Sequence, residues 1–218
     1  MKILDVPQSG SVAGITSSRN RFGQYRRTRA IPVNPNTAFQ ATQRARLAAS
    51  AALWRTLTAA QRAGWIDLAG AFTRTNSLGQ PYNETGAQCF VSVNNFQAAA
   101  GNAALTDAPA LVTPSALLTV TLTLTAAAFS VAYTTTPLGA GARLFSYVSL
   151  QRSAGRAFEG DYRLLAVSAA AAASPANIYA AYVARFGVPV VGNRIFYTGR
   201  VYLGGFLSGP IVTSAVVA

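Results

Sequence analysis

The apolar positions along the chain change period partway through. Leu47, Ala51 and Trp54 recur at three- and four-residue intervals, and so do Trp65, Leu68, Ala69 and Phe72, the spacing that puts side chains on one face of an α-helix. Each run has a start signal. Thr37-Ala38-Phe39-Gln40 and Thr58-Ala59-Ala60-Gln61 both set Gln three residues after Thr, the pattern of a capping box in which the two residues satisfy each other's backbone amides. The spacing predicts a helix over residues 37–55, a second from residue 58 and a break near Leu57. The two would form a helical hairpin with Trp54 and Trp65 near the joint. A third run, residues 87–96, lies between Gly86 and Gly101 and fits either a strand or a third helix; Phe90, Val93 and Gln97 share a helical face, which favours the helix.

From residue 117 onward the period is two. Leu118, Val120, Leu122 and Leu124 alternate with threonines, and Phe129, Val131 and Tyr133 alternate with Ser130, Ala132 and Thr134. Such alternation belongs to strands with one face in a core. Residues 144–150, 162–167, 194–203 and 211–217 add four candidate strands, separated by turn signals such as Gly187-Val188-Pro189 and Gly209-Pro210. Six short strands at these intervals predict an antiparallel β-sandwich. Residues 175–186 interrupt them as a short helix or an irregular crossover, and the alanine run 169–173 reads as a loop or the lead into that helix. Residues 101–116, between the helical and strand regions, have the composition of a linker.

Residues 1–36 show neither period. Gly10, Gly14 and Gly23 punctuate them, and the prolines of Ile31-Pro32-Val33-Asn34-Pro35 bias their predecessors away from helix. An extended arm is expected, with at most a short strand near residues 22–26 and little apolar surface to order it. The expected fold class is therefore α+β in four parts: an extended basic arm (1–36), a helical hairpin region (37–100), a linker (101–116) and an antiparallel β-sandwich (117–218).

Charge changes the picture of the arm. The chain has 218 residues and a net charge of +12, concentrated in its first third. Residues 1–74 set their Lys and Arg against Asp5 and Asp67 alone, while the remaining carboxylates are Glu84, Asp107, Glu159 and Asp161. A basic segment calls for an anionic partner, nucleic acid or an acidic protein surface. All but one of the cations are arginine, whose fork pairs with phosphate or carboxylate, although a GC-rich genome produces the same bias. Arg19, Arg21, Arg26, Arg27 and Arg29 are closely spaced, with Phe22 and Tyr25 among them, and these seven are the candidate partner-binding residues. Interleaved cations and rings serve single-stranded nucleic acid. They also serve docking on an acidic protein, where an aromatic fills a pocket, and the plainest alternative is a solvated basic tail. Protein docking is the first expectation and nucleic acid the second. Arg44, Arg46, Arg55 and Arg62 fall mostly off the apolar stripes, as solvated helix faces would place them.

The remaining chemistry is sparse. Histidine is absent and Cys89 is alone, so a Cys–His nucleophile and a zinc site both lack their partners, and Cys89 reads as a small buried hydrophobe. Glu159 and Asp161 are the only close carboxylate pair, but Gly160 between them suggests a solvated turn. The glycines fit neither the phosphate-loop nor the dinucleotide pattern. No catalytic residue, metal or cofactor is expected, and the chain does not read as an enzyme. Thr and Pro interrupt the long uncharged run after residue 108, so a membrane span is not expected, and the start of the chain has no apolar signal-peptide core.

Three stretches together resemble uncharacterised proteins of tailed bacteriophages: Gly14-x-x-x-Ser18-x-Asn20-Arg21-x-Gly23-Gln24-Tyr25-x-Arg27, then Pro32-Val33-Asn34-Pro35-Asn36-Thr37, then Trp54-Arg55-x-Leu57-Thr58-x-x-Gln61-Arg62-x-x-Trp65. The polar segment Leu78-Gly79-x-x-x-Asn83-x-Thr85-Gly86 belongs to the same pattern. The resemblance covers residues 10–100, and the rest in outline. It implies a virion structural protein with no catalytic residue, and a C-terminal half like the immunoglobulin or fibronectin type III sandwiches that phages attach to virion proteins. The expected role is a capsid decoration or cement protein, assembled into virions in the bacterial cytoplasm. It would dock on other virion proteins, the major capsid protein first, through its basic arm. A tail or connector component, a nucleic-acid-binding virion protein and a homo-oligomer stay open.

Overall fold

The computed structural model describes residues 8–71, 73–76 and 78–218. Phe72, expected on the apolar face of the second helix, Ser77 and the first seven residues of the arm lie outside them. The chain is mixed α+β and divides after Thr42 into two units.

In the first unit the expected extended arm is instead a three-stranded antiparallel meander. Strand β1 (Gly10–Val12) pairs with β2 (Ile15–Asn20), which pairs with β3 (Gly23–Thr28). Two tight turns make this possible. At Asn20-Arg21-Phe22-Gly23 the amide of Phe22 donates to Asn20 Oδ1 at 2.9 Å, and Gly23 takes φ +117°, a conformation that glycine adopts without steric cost. The amide of Arg29 closes the other end on Gly14 O at 2.8 Å. The strands escaped the periodicity because neither face is apolar. Residues 29–36 then run without regular structure.

Helix α1 (Ala38–Thr56) starts at the expected capping box: Thr37 N donates to Gln40 Oε1 at 3.2 Å, and Gln40 N to Thr37 Oγ1 at 3.3 Å. Helix α2 (Ala59–Gly70) starts at the second box, Thr58 with Gln61. A small hairpin of β4 (Arg74–Thr75) and β5 (Pro81–Tyr82) leads to α3 (Gly86–Ala99), which has a third box, Thr85 with Gln88. The expected hairpin of α1 and α2 needs correcting. The principal packing is α2 against α3, and α1 buries no residue of its own. Trp54 and Trp65 do lie near the break at Leu57, but through α3: each packs against Phe90, at 5.4 and 5.1 Å between ring centroids. Phe90 is fully buried between them, and Cys89 and Val93 of the same helix complete this core with Leu57 and Leu68. At Gly86 a β-carbon would stand 2.7 Å from Ile66 Cγ1 and 3.0 Å from Ile66 N, so only glycine lets α3 begin so close to α2.

Residues 101–116 contain no helix or strand, but they are not a loose linker. The Asn94 side chain accepts from Leu105 N at 2.7 Å and donates to Leu105 O at 3.2 Å. Trp65 Nε1 donates to Thr106 O at 2.8 Å, and Gln61 Nε2 to Asp107 Oδ1 at 3.2 Å.

The alternating runs all form strands. They are β6 (Thr119–Leu124), β7 (Phe129–Thr134), β8 (Arg143–Val148), β10 (Arg163–Val167), β12 (Asn193–Leu203) and β14 (Ile211–Val216), with two-residue additions β9 (Arg152–Ser153), β11 (Ala176–Asn177) and β13 (Phe206–Leu207). One sheet has the order β11-β7-β6; the other runs β10-β8-β12, with β13, β14 and β9 also on β12. Every pairing is antiparallel. Phe129, Val131 and Leu124 from the first sheet share a core with Val148, Ile195, Tyr197 and Val217 from the second. The interruption at residues 175–186 resolves as helix α4 (Tyr179–Phe186), whose Tyr182 closes this core edge-on to Phe129 at 5.4 Å. On the outer side of the second sheet Phe145 stacks on Tyr202 at 5.2 Å and meets Phe96 of α3 at 6.5 Å.

Replacing Gly86 by Ala should cost about 1–3 kcal/mol through overpacking against Ile66, read as a lowered urea midpoint with an unchanged slope.

Candidate docking site

The meander collects the seven residues expected to bind a partner, but it does not set them on one surface. Pairing puts Ser17 opposite Arg26 and Arg19 opposite Gln24, whereas Thr16 faces Arg27 and Ser18 faces Tyr25. Because successive residues of a strand point to opposite faces, Arg19 and Arg26 share one face, with Val12 and Ile15. Tyr25 and Arg27 share the other. Arg21 and Phe22 form the tip, the guanidinium lying 4.7 Å from the ring centroid, and Phe22 is 72% exposed. Arg29 follows the last strand.

Gln8 and Asn20 were not legible as parts of this site. Gln8 Oε1 accepts from Arg26 Nη2 at 2.8 Å and its carbonyl from Gln24 Nε2 at 3.4 Å, while Asn20 builds the tip turn. Both are uncharged side chains whose roles depend on strand register, and no local spacing signals that.

The electrostatics are one-sided. Residues 8–42 contain five arginines and no carboxylate. Among the described residues Arg19, Arg27 and Arg29 have no ion-pair partner. No residue between 8 and 42 is buried. Val12, Ile31 and Val33 are 81%, 76% and 89% exposed. A three-stranded sheet normally needs an apolar face, or packing against another element, to be stable on its own, and the described residues of the meander bury no side chain.

The carboxylate pair in the second unit resolves differently from a solvated turn. Glu159 is 3% exposed. It is ion-paired with Arg152, lies 3.5 Å from Arg156, and accepts from the amides of Gly160 and Asp161 at 2.9 and 3.0 Å. The backbone amide of Asp161, then the Arg152 contact, hold its carboxyl at about 2. It is thus ionised at neutral pH and serves to fasten the loop between β9 and β10. Asp161 stays half in solvent beside Arg163 at 3.3 Å. Cys89 is fully buried, as its apolar neighbours led one to expect, and burial, with Glu84 adding, pushes its thiol up to about 11. Among the described residues no cluster of three carboxylate or thiol side chains is placed to hold a metal, and no helix is long and apolar enough to cross a membrane.

Compared with protein-family models, with curated proteins and with solved structures, the chain matches none of them.

Two outcomes follow from the buried groups. Glu159 has a folded-state value below its unfolded one, so its contribution is present above the unfolded value of 4.5 and is lost as pH falls toward 2. A thermal melt series down to pH 2 should show this acid limb, and Glu159→Gln should flatten it. Cys89, two units above its ordinary value, carries about a hundredfold less thiolate. It should react with Ellman's reagent about a hundredfold more slowly than a free thiol until denaturant opens the helical core.

Proposed function

We propose that this protein is a non-enzymatic assembly component that docks on an acidic protein surface through its basic meander. The observation that carries this reading is the combination in residues 8–42 of five arginines, no carboxylate and no buried residue. Such a segment has no core to order it, and fixing a backbone costs about 1–2 kcal/mol per residue. A partner offers the offset: carboxylates pair with arginine forks, and rings such as Phe22 at the exposed tip enter pockets.

The split of the arginines over both faces favours protein over nucleic acid. Binding a single strand sets cations and rings along one groove, and here Arg19 and Arg26 lie opposite Tyr25 and Arg27. A partner that encloses the meander can reach both faces.

The second unit supports the finer fold proposal. Omitting the two-residue β9 and β13, its strands in chain order are β6, β7, β8, β10, β11, β12 and β14. The first, second and fifth make one sheet, and the third, sixth and seventh lie side by side in the other, with the fourth on its edge. Immunoglobulin-type sandwiches pair their first, second and fifth strands against their third, sixth and seventh in the same way, and a fourth strand attached to the second sheet gives the fibronectin-like variant. With the resemblance in residues 10–100, this supports a tailed-phage virion protein, seated on the capsid as a decoration or cement subunit.

Removal of residues 1–30 should leave a chain that unfolds cooperatively at nearly the same temperature but no longer co-sediments with phage particles assembled without it. Co-sedimentation equal to that of the full chain would refute the docking role. Saturable, steeply salt-dependent binding of the full chain to DNA would favour nucleic acid as the partner instead.

A further inference from the structure

The outer face of the second sheet holds an arginine with no counterpart. On β12, Ile195, Tyr197 and Val201 turn inward to the sandwich cores. Alternation sends Arg200 to the other side, near Tyr147, where it is half-buried. Among the described residues the Arg200 side chain makes no hydrogen bond, ion pair or ring contact. It lines a cavity of about 290 Å³ between α3, residues 111–114 and the β12–β13 turn. That cavity is also walled by Phe96, Leu111, Phe206, Ser92 and Arg74.

The walls are held in place. The Gly204-Gly205 turn presses on α3 so closely that a β-carbon at Gly205 would stand 2.5 Å from Val93 Cγ1. Arg74 is already engaged, by Glu84 at 2.9 Å and Ser92 Oγ at 3.0 Å. Among the described residues Glu84 pairs with Arg74, and no carboxylate pairs with Arg200. The cavity thus carries a surplus positive charge on a half-buried group, flanked by apolar surface. A partly desolvated charge without a partner is costly, and an arginine fork is matched by the two oxygens of a carboxylate.

We propose that this cavity is a binding site for an organic carboxylate, the carboxylate pairing with Arg200 and an apolar body lying against Phe96, Leu111 and Phe206. The ligand is either a small organic acid or an acidic side chain of a peptide segment; the recognition chemistry is the same. Inorganic phosphate lacks the apolar body and fits less well. The site belongs to the second unit and does not depend on the docking role of the meander.

The test is an NMR titration of the full chain with phenylacetate. Saturable shifts at Phe96, Leu111, Arg200 and Phe206 are expected, with a dissociation constant on the order of 1–10 mM for so small a ligand. Phenylacetamide, its neutral isostere, and inorganic phosphate should each bind at least roughly tenfold more weakly, because they lose the fork pairing or the apolar contact. Arg200→Gln should lose phenylacetate binding by a similar factor while keeping its melting temperature. If that variant does not fold, Arg200→Lys replaces it, keeping the charge but not the fork, with a partial loss expected. A capped tetrapeptide containing Glu, set against its Gln counterpart, separates the two sources: tighter binding than phenylacetate assigns the site to a peptide, weaker binding to a small acid. Absence of saturation with both phenylacetate and the peptide, or equal affinity for phenylacetate and phenylacetamide, overturns the proposal. Arg200→Gln should still attach to particles, so failure here and failure of the docking role are separately visible.

Discussion

Asn94 grips the backbone of Leu105 through both its amide and its carbonyl oxygen, and the second unit depends on that grip. The chain leaves α3 at residue 99 and reaches β6 at residue 119 with no regular structure between. Without fixed points such a stretch would leave the helices and the sandwich as separate bodies. Asn94 is 3% exposed, so its two hydrogen bonds are shielded from competing water, and leaving either unmade would cost about 1–3 kcal/mol. A second polar group continues the seam: Tyr202 Oη donates to Gln97 Oε1 at 2.6 Å, and Asn102 Nδ2 donates to the same oxygen at 2.9 Å. A satisfied polar network of this kind specifies one geometry where greasy contact would permit several. That is why the cavity beside Arg200 can have walls from α3, residues 111–114 and β12 together.

The two units embody different ways of being ordered. The second is held by aromatic burial, with Trp65, Phe90, Phe129, Phe145 and Tyr197 all fully enclosed. The first relies on backbone pairing and turns. Its three strands form a regular ladder, and the described residues bury no side chain, so what holds them is hydrogen bonds and surface contacts already open to water. Such ladders sit at the low end of local stability, the usual property of segments that become rigid only on engagement.

Legibility in the sequence followed apolar contrast. Strands β6 and β7 were visible because threonine alternates with leucine and valine, and α1 and α2 because Trp, Leu and capping pairs mark period and start. The meander was not, since Ser, Thr, Arg and Gln on both faces erase the two-residue signal while leaving the strands free to pair. Its seven candidate residues could be named from charge and rings, but their division between faces is a matter of register, fixed by the turns at residues 13–14 and 21–22. Glu159 looked like part of a solvated turn because its neighbour is Gly160; the arginines that enclose it stand three and seven residues earlier on a loop that folds back. Arg200 lies in an otherwise apolar run, and only the packing of α3 across that sheet distinguishes a lined cavity from open solvent.

Among the described residues strand β3 pairs with β2 alone, which leaves its other side as a sheet edge. Exposed edges of this sort recruit strands from other molecules, and charged side chains are the common protection against it. Arg26 and Arg27 belong to that strand, and charge of this kind discourages edge-to-edge pairing between copies. The same charges would be cancelled by any anionic partner. A partner that engaged the meander would remove this guard as it covered the edge, whereas a stray polyanion that neutralised the arginines without covering the edge would turn the meander into a nucleus for aggregation.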